Sequence, residues 1–226
     1  MQRSGHCSPD DQTRPPRLPL RASQRTHDRI IIAHHLVLHG YGHWLPNDPR
    51  GSGSDELRQD KLADLGPIHT GRRQVQPPRS ELQRFYRAAE PLLDFPCLWF
   101  DDAKRQAIGG AFAQVVAQHR YTVWGCAILR NHAHLCIRRH RDDALTMWRR
   151  FAEASRTALL ENSDIEVKHP VWSIRPYKVF LYTPADVRRV VEYIRSNPVK
   201  ERLTSQDWPF VKEYDGWPHP RTEPTA

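Results

Sequence analysis

The sequence predicts an α+β fold, a ferredoxin-like antiparallel sheet with helices packed on it. Apolar runs of strand length alternate with stretches of helical period, in the order strand, helix, strand, strand, helix, strand, helix. The two middle strands are separated only by Arg130-Asn131. A link that short forbids a crossover, so these strands are antiparallel neighbours. The length of 226 residues suits one domain carrying tails or an insertion, with enough chain to bury a core.

The elements follow in chain order. Residues 1–28 are rich in Arg and Pro and lack the apolar run of a signal peptide, so a disordered extension is expected there. The domain proper is expected over 29–203. Ile30 to Leu38 is β-branched and reads as the first strand. Gly40, Gly42, Pro46, Asn47, Asp48, Pro49 and Gly51 end it in turns, and about 46–78 reads as a loop insertion. Ser80 to Glu90 suits a short helix capped by Ser80. Asp101 to His119 suits a longer one, with acidic residues at its start and the stripe Ala107, Ile108, Ala111, Phe112, Val115, Val116. Gly109 and Gly110 weaken it by about 1 kcal/mol each relative to Ala.

Strands are expected at 121–129 and 132–138. A helix follows over 142–160, burying Leu145, Trp148, Phe151, Ala152, Ser155 and Leu159. A further strand region runs over 171–181, interrupted near Pro176. Thr183 caps a last helix that begins at Pro184 and is expected to stop at Asn197, because Pro198 follows. Residues 204–226 form a tail, with Trp208, Tyr214 and Trp217 expected to pack on the body.

The chemistry is concentrated in Asn131-His132-Ala133-His134. Two histidines one residue apart on a strand face the same way, with Cβ atoms roughly 6–7 Å apart, so both imidazoles can converge on one metal ion. Ala133, Leu135 and Ile137 face the other way, toward a core. On the last helix Val187, Val190, Val191 and Ile194 make the buried stripe. Tyr193 and Asn197 sit one turn apart on its flank and offer a phenolic and a carboxamide oxygen. Each feature has a plainer reading: solvated strand histidines, a tyrosine at a core margin, and an asparagine at a helix end. His34, His35, His39 and His43 form a separate group, read as core or surface histidines before a structural metal set.

These residues resemble the single-tyrosine HUH transposases, in particular the REP-associated tyrosine transposases of bacteria. The likeness spans about residues 30–203. It lies in Leu129-Arg130-Asn131-His132-Ala133-His134 and Tyr193-Ile194-Arg195-Ser196-Asn197-Pro198-Val199, with Gly40 to Pro46 and Asp48 to Gly51 in support. The chain departs from the pattern at Leu129-Arg130 and in the insertion after Arg50. The resemblance implies an HUH endonuclease-type fold that nicks and rejoins single-stranded DNA near hairpins through a 5′-phosphotyrosine. Tyr193 would be the nucleophile. His132, His134 and the weaker third ligand Asn197 would hold Mg²⁺ or Mn²⁺. An unperturbed phenol titrates near about 10, so attack at neutral pH benefits from a cation on the target phosphate. A non-catalytic hairpin-binding relic and a metal nuclease using activated water are the rival expectations.

Charge agrees with a polyanionic partner: 34 Lys and Arg against 26 Asp and Glu, a net +8. Arg149, Arg150 and Arg156 are candidates to follow a DNA backbone, and Trp44 and Trp172 to stack on unpaired bases, although a solvated face and core packing explain them equally. Cys7, Cys97, Cys126 and Cys136 make no CxxC pair, and Cys126 and Cys136 read as small core residues. No apolar run is long enough for a membrane span. A cytoplasmic, nucleoid-associated bacterial protein is expected, working as a monomer or a homodimer.

Overall fold

The computed structural model describes residues 30–52, 60–71, 73–174 and 176–219; the expected disordered extension at 1–28 lies outside them. Four strands form one sheet: β1 (Ala33–His39), β2 (Val123–Ile128), β3 (His132–Arg138) and β4 (Tyr177–Leu181). They lie in the order β2-β3-β1-β4, every pair antiparallel. Four helices accompany them: α1 (Arg79–Ala89), α2 (Asp102–His119), α3 (Ala144–Asn162) and α4 (Pro184–Lys200). With α1, which follows the insertion, set aside, the order βαββαβ and the strand sequence are those of a ferredoxin-like sheet, followed by an extra helix.

Strand alternation divides the core into two layers. Leu36, Leu38, Ile128, Ala133, Leu135 and Ile137 point to one face, which α2 and α3 cover with Ile108, Phe112, Met147 and Phe151. Ala33, Trp124, Ala127 and Cys136 point to the other, which α4 covers with Val187, Val191 and Ile194. α4 lies close to β2 at Gly125, where Ile194 would make ordinary contact with a Cβ at 3.5 Å. Cys126 and Cys136 are buried, as their apolar setting predicts.

Several elements differ from the sequence reading. α1 is not capped by Ser80: it begins at Arg79, with Pro78 at its N-cap and no side-chain cap, and Ser80 lies inside it. The expected strand over 171–181 is ordered as β4 only from Tyr177, while Trp172 makes a lone bridge to Gly40. α4 does not stop at Asn197 but runs on to Lys200 with Pro198 inside it. A proline so near the C-terminus forfeits one helical hydrogen bond, and the last turn is held by Glu201 N to Asn197 O and Leu203 N to Pro198 O. The insertion is not all loop: Asp60–Leu65 is a 3-10 turn, and Ser52 bridges Thr70.

The tail packs as expected. The Gln206 side chain binds both Ile128 N and Ile128 O, at 2.8 and 2.7 Å. Trp208 enters the core beside α2, and Tyr214 meets Trp124 edge-on at 4.7 Å. Val211 bridges Val123, so the tail closes the outer edge of β2.

Candidate active site

Antiparallel pairing of β1 with β3 places His39 opposite His132 and Val37 opposite His134. His35 and His39 therefore share a face with His132 and His134. The two histidine groups that the sequence separates by about a hundred residues form one surface. His34 points to the opposite face, against Phe180, and His43 is tied through Nε2 to Leu98 O at 3.0 Å.

The rings of His132 and His134 lie 4.7 Å apart between centroids. His132 Nδ1 is 2.7 Å from Asn131 Oδ1. A carboxamide oxygen only accepts, so His132 donates from Nδ1 and keeps its lone pair on Nε2. His134 Nδ1 is 3.0 Å from His35 Nε2, a diagonal contact across the strand pair. His134 Nε2 is buried and has no hydrogen-bond partner among the described residues.

α4 supplies the remaining groups. Val187, Val191 and Ile194 anchor it to the sheet, and Tyr193 on its flank meets the histidine face. A capping box between Thr183 and Asp186 fixes its start. The Tyr193 ring stands edge-on to His134 at 5.5 Å and to His35 at 6.2 Å. Its side chain remains 45% exposed, so a substrate can reach it. Asn197 is buried one turn further along.

Burial favours the neutral form of these histidines. Burial holds His35 and His132 at about 4, and His39 at about 3, each well under the ordinary 6.5; the charges of His132, Arg50 and His43 add to this for His39, and those of His43, Arg50 and His35 for His132. Burial, with the neighbouring imidazoles, pushes His134 well below its usual value. Neutral imidazole is the form that binds a metal.

Among the described residues no three His, Cys, Asp or Glu side chains are grouped to hold a metal ion. The donors shown together here are two imidazoles contacted at Nδ1, one of them with a buried Nε2 that no described residue satisfies. A buried imidazole nitrogen without a partner is a donor of the kind a divalent cation would take.

A second group closes the His39–His132 end. The loop after β1 turns at Gly42 and at Trp44, both with positive φ. Gly42 is required, because a Cβ would run into Cys97. Trp44 is half-buried, with its ring 4.8 Å from His39 and 6.5 Å from His132. The Arg50 guanidinium lies over that indole at 3.6 Å. It is held in turn by Asp48 and by the hydroxyl of Tyr86 on α1. The sequence offered turn residues here but no signal for this network.

The other nucleic-acid candidates stand elsewhere. Trp172 is buried in the core, with its indole N–H donated to Ser155 and its ring against Phe100, so it cannot stack on a base. Arg150 is taken up by His119, Tyr121 and Asp142, and Arg156 by Val167 O. Arg149 is exposed. All three belong to α3, on the layer opposite the histidine face.

No protein-family model and no curated protein matches the chain. Among solved structures, a REP-associated tyrosine transposase bound to a REP hairpin is similar, with a TM-score of 0.42 and 17% identity over 83% of this chain and 81% of that one. The fold rests on the strand order itself.

Proposed function

We propose that this chain is a metal-dependent transposase that nicks and rejoins single-stranded DNA beside hairpins, with Tyr193 as nucleophile. One observation carries the proposal: the ring of Tyr193 stands edge-on to His134, and to its neighbour His35, on the histidine face of its own chain. The residues fit Mg²⁺ or Mn²⁺ held by His132 Nε2 and His134 Nε2, with the carboxamide of Asn197 as third protein ligand. When bound, the cation draws charge from the target phosphate and offsets the charge that grows in the transition state.

The protein's own groups do the rest. Tyr193 Oη attacks phosphorus and forms the phosphotyrosine bond. The P–O3′ bond breaks, the 3′ oxygen takes up a proton, and the phenolic proton leaves to solvent, which reaches this half-exposed side chain. Rejoining is the reverse attack by a 3′ hydroxyl. The ester bond is kept throughout, so no nucleotide cofactor is needed. The net charge of +8 favours the DNA. Because phenol and imidazoles come from one chain, a monomer suffices.

The test is incubation of the full chain with a labelled, hairpin-flanked single strand and Mn²⁺, resolved on a denaturing gel. The expected product is a denaturant-resistant protein–DNA adduct with a free 3′ hydroxyl fragment, absent in Tyr193→Phe. An adduct that survives in Tyr193→Phe overturns the assignment. Free 5′ phosphate without adduct selects water as nucleophile, and binding without cleavage selects the relic. No helix among the described residues is long and apolar enough to cross a membrane.

A further inference from the structure

His35 belongs to none of the sequence motifs that define the site, yet it touches the site's most buried member. It lies on β1, is 8% exposed, and holds its Nε2 3.0 Å from His134 Nδ1. We infer that His35 is the positioning residue of the site: its Nε2 accepts the Nδ1–H of His134 and thereby fixes His134 in the tautomer whose Nε2 lone pair is free for a cation. The inference rests on the metal-assisted reading above.

The direction of this hydrogen bond decides what His134 can do. A neutral imidazole has one N–H and one lone pair. If His35 donated, the proton of His134 would sit on Nε2, a buried position with no acceptor. That arrangement wastes a donor and removes the lone pair a cation needs. If His134 donates, its Nε2 carries a lone pair, and a cation satisfies it. The same logic applies at the neighbouring candidate ligand, where Asn131 Oδ1 can only accept from His132 Nδ1. Both candidate ligands are then held from the same ring nitrogen, one by the carboxamide next to it in sequence and the other by an imidazole from the next strand. Strand pairing makes the second device available: Val37, not His35, is directly opposite His134, and an aromatic ring is long enough to reach the diagonal position. Partners of this kind orient metal-binding histidines and are worth about 10–100-fold in affinity.

The test uses the full chain in three forms: wild type, His35→Leu and His35→Gln. Leucine fills the space without an acceptor, whereas the Gln side-chain oxygen reaches about as far as His Nε2. Two-bond ¹H–¹⁵N correlation spectra of metal-free protein report the tautomer of each histidine. The wild type is expected to show His132 and His134 both protonated on Nδ1. In His35→Leu, His134 loses that bias and Mn²⁺ affinity, measured by water-proton relaxation, falls about 10–100-fold. His35→Gln restores both readouts. Wild-type His134 protonated on Nε2 overturns the inference, and so does undiminished Mn²⁺ affinity in a folded His35→Leu. If His35→Leu fails to fold, the wild-type tautomer and His35→Gln decide. If the wild type binds no Mn²⁺, it is the metal reading that fails, and the tautomer spectrum still tests His35 separately.

Discussion

Replacing Asp48 by alanine tests how the loop after β1 is held against the histidine face. The Asp48 carboxylate is fully buried. Oδ1 accepts from Arg50 N at 2.8 Å and Arg50 Nε at 2.9 Å; Oδ2 accepts from Arg50 Nη2 at 2.6 Å and from the Tyr86 hydroxyl. Burial and the Asp48 charge raise the Tyr86 phenol far above its usual range, so it remains a donor. Removing the carboxylate strands a guanidinium and a hydroxyl in a site built to neutralise them. Breaking a buried pair in this way costs about 3–5 kcal/mol. The Arg50 side chain keeps 22% exposure and part of its hydration, which places the cost near the lower end, about 3 kcal/mol.

With a urea m-value of about 2 kcal/mol/M, that cost is a fall of about 1.5 M in the midpoint of denaturation. Asp48→Asn keeps the volume and an acceptor oxygen, so its fall should be about half as large. The loss is felt at the site, because Arg50 lies on Trp44 and Trp44 lies against His39. Affinity for a single-stranded oligonucleotide should drop in parallel. A midpoint within about 0.3 M of wild type, with m unchanged, would refute the network as the support of this loop.

Two further outcomes are expected. Gly109 on α2 lies where any Cβ would meet the indole of Trp208, so Gly109→Ala should destabilise by about 1–3 kcal/mol even though alanine is the better helix former; a more stable variant in thermal unfolding would show that Trp208 is not packed there. Acid should weaken the fold early. His35, His43 and His132 are held near 4, and His39 near 3, chiefly by burial, against about 6.5 in the unfolded chain. Between these values the unfolded chain binds more protons, so stability is whole above about pH 6.5 and falls with decreasing pH until the folded values near 3–4 are passed. Urea midpoints that stay level from pH 7 to pH 5 would contradict this.

Much of the molecule was written locally. Period-two alternation in 132–138, the two-residue link at Arg130-Asn131 and the stripe on the last helix give the sheet pairing and the face on which Tyr193 and Asn197 lie, because backbone geometry alone sets those directions. The capping box at Thr183 is likewise a short-range signal. What lay beyond the sequence depends on register and on packing between distant segments. His35 and His39 face His132 and His134 only because β1 pairs with β3 as it does, and a shift of one residue would have sent them to the other layer. Trp172 and Arg150 looked available by composition, but burial and hydrogen bonding consumed them. The link from Asp48 through Arg50 to Trp44 joins β1's loop to α1 across the insertion, a contact no local pattern encodes. The chain by itself set which side chains share a strand face or a helix flank; the tertiary fold decided which of those faces meet, because contact between them is a property of the assembled sheet and its packed helices.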